Sequence, residues 1–148
     1  MKYVSQAGKF SIKIEGEWSV RERKDPSGLI ICNFYLKEKP VSFNIVCGSL
    51  HPSEIRDLEL RKIWARKYLR EQGYKNIEIG EIYLPRLNIT ALDVKYIVKQ
   101  RMLDLTVRKI DLIYKDKNYI FTFGTIPSLY ISFEPIFTQA IFSFKPLF

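Results

Sequence analysis

From Phe10 the chain alternates apolar and polar residues strictly, with Phe10, Ile12 and Ile14 on one face and Ser11, Lys13 and Glu15 on the other. A period of two with one apolar face predicts a half-buried strand. Gly16-Glu17-Trp18 turns the chain, and the run from Arg21 to Gly28 mixes charges with Pro26, Ser27 and Gly28, which predicts an exposed loop. Two further strands, Leu29 to Leu36 and Val41 to Cys47, flank Lys37-Glu38-Lys39-Pro40 at a spacing suited to a hairpin. In the second of them Val41, Phe43, Ile45 and Cys47 share a face.

After Gly48 the period lengthens to about 3.6 and predicts an amphipathic helix over residues 53 to 72. Ser53 is its expected N-cap, Glu54, Asp57 and Glu59 sit at the positive end of the dipole, and Gly73 stops it. Ile55, Leu58, Ala65, Tyr68 and Leu69 cluster on one side, with Trp64 falling toward them. Arg56, Arg66, Lys67 and Arg70 project from the other, with Lys62 nearby.

Strand character then returns: Ile77, Ile79, Ile82 and Leu84 before Pro85, a segment from Asn88 to Lys99, and strands from Leu103 to Tyr114 and Tyr119 to Phe123. Lys115-Asp116-Lys117-Asn118 suits the turn between the last two, and a three-strand meander is the economical reading. Thr125 to Ile131 has no clean period and reads as a loop. A closing helix is expected over residues 132 to 143, capped by Ser132 with Pro135 in its first turn, and packed on the sheet through Ile136, Phe137, Ala140, Ile141 and Phe144.

These elements make an α+β chain built on an antiparallel sheet, and 148 residues suit a single domain, 1–148, with one core. The segments Phe10-Ser-Ile-Lys-Ile, Gly16-Glu17-Trp18, Tyr119-Ile-Phe-Thr and Phe133-Glu-Pro-Ile-Phe-Thr-Gln-Ala-Ile-Phe-Ser-Phe144, with the mid-chain helix and the meander, together resemble the PsbP-like superfamily. That superfamily includes the extrinsic photosystem II subunit, a Ran-binding nuclear import factor, and bacterial proteins, some of which look like secretion-effector chaperones. The resemblance implies an α/β/α sandwich, an antiparallel sheet of about six or seven strands with helices packed on both faces. It also implies a scaffold that binds other macromolecules, because the matching residues are fold markers and carry no chemistry of their own.

Composition narrows the function further. A net charge of +8 and a pI of about 9.5 favour an acidic counterpart: nucleic acid, an anionic membrane surface or an acidic protein. The start of the chain has no signal-like apolar run, so a cytoplasmic location is expected. The charge-poor stretch from Tyr119 to Phe144 is broken by Gly124, Pro127 and Pro135 and does not read as a membrane span. Cys32 and Cys47 lack metal-ligand spacing and read as buried free thiols, with a cross-strand disulfide as the alternative.

His51 is the only histidine, and no zinc-binding, nucleophile-elbow or phosphate-cradling motif occurs. Placed before Pro52 and Ser53, His51 is expected to bond local backbone; pairing with Cys47 or Ser49 in catalysis is the alternative. No catalytic, cofactor-binding or metal-binding residue is therefore assigned, no cofactor is expected, and the chain is not expected to be an enzyme. The expected function is a protein-binding adaptor or chaperone-like module, against a nucleic-acid-associated protein and an enzyme of another type. Its candidate contact residues are Arg56, Lys62, Arg66, Lys67 and Arg70 on the helix, and Leu129 and Tyr130 in the loop.

Overall fold

In the computed structural model, which describes residues 1–148, the elements follow the order β1 (Lys2–Ser5), β2 (Phe10–Lys13), β3 (Ser19–Lys24), β4 (Ile30–Tyr35), β5 (Val41–Ser49), α1 (Leu58–Glu71), β6 (Lys75–Leu84), β7 (Ile89–Gln100), β8 (Leu103–Tyr114), β9 (Lys117–Thr125), α2 (Pro127–Ser143) and β10 (Lys145–Pro146). Two antiparallel meanders, β3–β5 and β6–β9, are joined by α1. They meet where β5 pairs with β9, giving a seven-stranded sheet in the order β3-β4-β5-β9-β8-β7-β6. The second meander has four strands, one more than the economical reading. β1, β2 and β10 form a separate three-stranded sheet.

The alternation read from the sequence sets the inner face of the large sheet. Cys32, Phe34, Phe43, Ile45, Phe121 and Phe123 all point to the side covered by α2 and the small sheet, and all are buried. The core they build is aromatic. Phe43 stacks on Phe34 at 5.0 Å, Phe123 on Phe137 at 5.0 Å, and Phe144 meets Tyr119 and Phe121 at 4.9 and 5.0 Å. Rings at these separations in stacked and edge-on geometry add to the burial of their area. A smaller core lies on the opposite face, where α1 sets Leu69 against Leu92, Val94, Tyr96 and Val107. Helices thus lie on both faces of the sheet. Cys32 and Cys47 are buried on adjacent strands and remain free thiols.

Three stretches differ from expectation. The charged run from Arg21 belongs to β3, which pairs with β4 from Ser19↔Tyr35 to Lys24↔Ile30. As an edge strand it pairs on one side only, so Arg21, Glu22, Arg23 and Lys24 remain solvated and discourage pairing with another chain. α1 begins at Leu58 and not near Ser53: Asp57 is the N-cap and its carboxylate accepts from the backbone N–H of Leu60 at 2.9 Å. Ser53 is occupied instead with His51, whose Nδ1 lies 2.6 Å from the Ser53 hydroxyl and accepts from the Ser53 backbone N–H at 3.1 Å.

The expected loop from Thr125 to Ile131 does not exist as such. Thr125 ends β9, and α2 starts at Pro127 behind Ile126, so Ser132 is no cap and Pro135 lies inside the helix on an exposed position. Pro127 supplies the fixed φ of a first helical residue, the role assigned to Pro135 from the sequence. The helix tolerates Pro135 because the bond it removes belongs to the carbonyl of Ile131, on the flank of the helix that is open to solvent. No helix is long and apolar enough to cross a membrane.

Candidate functional site

The five basic candidates on and before α1 do not behave as one free surface. Lys62 is committed: its ammonium donates to Glu81 at 2.8 Å and to Glu59 at 3.1 Å, and these bonds hold its pKa above the usual lysine value. Arg56 lies before the helix and donates to the carbonyl of Lys115 at 3.0 Å, fixing the crossover against the β8–β9 turn. Arg66, Lys67 and Arg70 are exposed and form no ion pair. Arg61, absent from the candidates, reaches under the helix to Asp111 at 2.8 Å.

The larger departure is in the apolar residues. α1 turns Leu58, Ala65 and Leu69 toward the sheet. Leu60, Ile63 and Trp64 lie on the far side of the helix at one- and two-turn spacing from Lys67, and Ile63 and Trp64 keep 58% and 55% of their surface exposed. Tyr68, expected to face the sheet, is 56% exposed. Lys67 Nζ sits 5.4 Å above the Trp64 ring, close enough for a cation–π contact. Beside this ridge, Ile55, Trp64, Ala65 and Tyr68 line a cleft of about 490 Å³ with the Arg61–Asp111 pair among its walls. The helix therefore carries two apolar stripes, one satisfied by the sheet and one left in water with cations around it. The sequence holds this signal: Leu60, Ile63 and Trp64 fall outside the Leu58–Ala65–Leu69 stripe at about 100° per residue.

The two candidates from the expected loop lie elsewhere, on α2, and do not join this surface. Leu129 is half-buried against the main core. Tyr130 is 5% exposed, packed on Phe123 at 5.5 Å, and burial together with the Glu134 carboxylate pushes its phenol pKa above the normal range. An exposed partner contact through Tyr130 is therefore corrected: Pro127, Ser128 and Ile131 are the exposed residues of that stretch, Ile131 at 83%.

One polar network escaped sequence reasoning. Arg108, on the α2 side of β8, donates Nε to Asp93 Oδ1 at 3.0 Å and Nη2 to Asp93 Oδ2 at 2.8 Å, and Nη1 donates to the Thr138 hydroxyl at 2.8 Å. Glu134 adds a second carboxylate at 3.6 Å. Burial opposes the Arg108 charge, but the Asp93 bonds outweigh it and hold the guanidinium pKa above its usual value. The signal was a charged residue at the inward period of each of two neighbouring strands.

His51 has no contact with a nucleophile beyond Ser53, and no group of three or more His, Cys, Asp or Glu converges to hold a metal ion.

No protein-family model and no curated protein sequence matches the chain. Solved structures do. A protein from Bacteroides thetaiotaomicron superposes with a TM-score of 0.62 at 15% identity, over 98% of this chain and 47% of that one, so this chain spans about half its length. Cyanobacterial PsbP from Synechocystis gives 0.63 at 10% identity over 99% and 91% of the two chains. The Ran-binding protein Mog1p of Saccharomyces cerevisiae gives 0.60 at 9% identity over 99% and 95%. Likeness of whole chains at such low identity lies in topology and core positions, which is what the aromatic and turn residues of the sequence pointed to. The chain has the PsbP-like fold, an antiparallel sheet with helices on both faces.

Proposed function

We propose that the chain is a non-enzymatic protein-binding module, an adaptor or chaperone-like domain of the cytoplasm, that docks an acidic partner on the outward ridge of α1. The observation that carries this reading is the ridge itself: Leu60, Ile63, Trp64 and Tyr68 exposed together on one helix, rimmed by Arg66, Lys67 and Arg70. Clustered exposed apolar side chains with a polar rim are the usual form of a partner site. Trp and Arg are also the residues that most often carry binding energy there. The three rim cations have no ion-pair partner in the chain, which favours a partner bringing carboxylates. The Ran-binding neighbour is itself a protein binder, which agrees with a scaffold put to this use.

A photo-crosslinking residue at position 63, introduced in the source cell, tests the proposal against the same residue at position 27, exposed in the turn between β3 and β4. The expected result is a discrete adduct with an acidic protein from position 63, absent from position 27 and lost with Leu60→Asp. Equal adducts from both positions, or adducts with nucleic acid, would overturn it. Nucleic acid is the second reading because Trp64 and Tyr68 stand exposed among cations, an arrangement suited to base stacking. Filter binding that weakens steeply with salt would support that reading.

A further inference from the structure

A second cleft, of about 490 Å³, opens on the other face of the sheet, between the start of α2 and strands β6–β8. Its volume falls in the range of small-molecule sites. Ile97, Ile131 and Pro127 give it apolar walls, Asn76, Lys95, Thr106 and the carboxylate of Glu78 bring polar groups to the same space, and Tyr130 lines it with its ring while its hydroxyl stays buried. Asn76 stands at the register shift of β6 with φ of +52°, in the left-handed region. A bulge of this kind re-aims a side chain out of the regular pleat.

Three features mark these polar groups as unused by the fold. Thr106 is 5% exposed and engages no side chain through its hydroxyl; the Tyr130 hydroxyl behind it is buried without a hydrogen-bond partner in the chain. A buried hydroxyl is nearly always bonded, so the one in this wall is an exception. Lys95 projects over the Tyr130 ring with Nζ at 4.5 Å from its centre, and its nearest carboxylate, Glu78, is 3.9 Å away on a largely exposed side chain. The neighbouring Arg108, by contrast, spends its donors on Asp93 and Thr138.

We infer that this cleft is a binding site for a small carboxylate with an apolar body. Its oxygens take the Lys95 ammonium and the Thr106 and Asn76 donors, and its hydrocarbon lies against Ile97 and Ile131. The unspent groups are predominantly donors, which selects an acceptor-rich head. The single cation selects one negative charge over several. Glu78, exposed and beyond hydrogen-bond distance from Lys95, swings to water when the ligand enters. The source is either a free aliphatic acid or the C terminus of a peptide, since both present the same head.

Titration of the full chain followed by amide NMR, with hexanoate, hexylamine and hexanol as probes, tests the assignment. Saturable shifts centred on Asn76, Lys95, Thr106 and Ile131 are expected for hexanoate, with the other two probes weaker by about tenfold or more, the factor for one charged hydrogen bond. Lys95→Gln should weaken hexanoate by about tenfold. Ile131→Glu, at an exposed wall where folding is not at stake, should weaken it as well by setting a like charge at the mouth. A capped tripeptide with a free C terminus, compared with its amide, identifies the source: tighter binding than hexanoate that the amide loses points to a peptide end, and weaker binding points to a free acid. Hexylamine equal to or tighter than hexanoate, shifts scattered away from the cleft, or hexanoate binding unchanged in both variants would overturn the inference.

Discussion

Single side chains decide how tightly the inner face is held. Arg108 and Asp93 form a bidentate pair with side chains only 11% and 19% exposed, so cutting it leaves a charge with nowhere to go. Arg108→Ala should cost about 3 kcal/mol of stability, read from urea unfolding. Replacing the pair by Arg108→Met with Asp93→Leu should recover most of that loss, because no charge remains to desolvate.

The two thiols supply a pH signature. Burial, with the Glu22 carboxylate near Cys32 Sγ at 3.3 Å, pushes Cys32 up to about 12, and burial pushes Cys47 up to about 11. Each is raised from an ordinary thiol value of 9.0, so the folded state keeps protons that the unfolded chain releases. Their contribution is therefore fully present below about pH 9 and is lost as pH rises through the folded values. Between about pH 7.5 and pH 10 the urea midpoint of the wild type should fall further than that of Cys32→Ala/Cys47→Ala. Neither thiol should react with an aromatic disulfide reagent at neutral pH until the protein unfolds.

Elements were legible where one face is dry and illegible where pairing is by backbone alone. β2, β4, β5, β8 and β9 alternate in sequence because their inner residues meet the core, and their positions came through. β3 carries no such pattern: its partners are the N–H and C=O groups of β4, which leave no trace in side-chain type. α1 was legible in its length and late end but not in its start, since Ser53 and Asp57 are equally good caps by composition. Geometry chose the one whose carboxylate reaches the N–H three residues on. Asp57→Ala should therefore cost about 1 kcal/mol in unfolding free energy, and Ser53→Ala only a few tenths. The early start of α2 was hidden because Thr125 to Ile131 is apolar without a period, as a first turn buried on one side by Tyr130 and open on the other at Ile131 must be.

At the scale of the molecule, what could be read was the core and what could not was the surface. A sequence shows that Trp64 and Tyr68 are aromatic on a helix; it does not show that the sheet beneath α1 is already filled by Leu58, Ala65 and Leu69. The same holds for Lys95 and Thr106, whose meeting with Tyr130 depends on β7, β8 and α2 converging from distant parts of the chain. Net charge was fully legible and keeps its meaning, as +8 spread over a surface with three unpaired cations beside one apolar ridge.

The seam where β5 lies against β9 separates two stretches that are each assembled from neighbours in the chain. Across it Lys117 reaches Ser49, 68 positions away, and Thr125 reaches Pro40, 85 away, while within each meander strands are joined by short turns. Closing so long a loop costs entropy before any of its contacts repay it. Each half can be assembled from local contacts, so joining them is expected to be the slow event in folding. A ribosome meets this order as a fixed schedule: β5 leaves it paired with β4 on one edge, and its other edge stays open until β9 has been made.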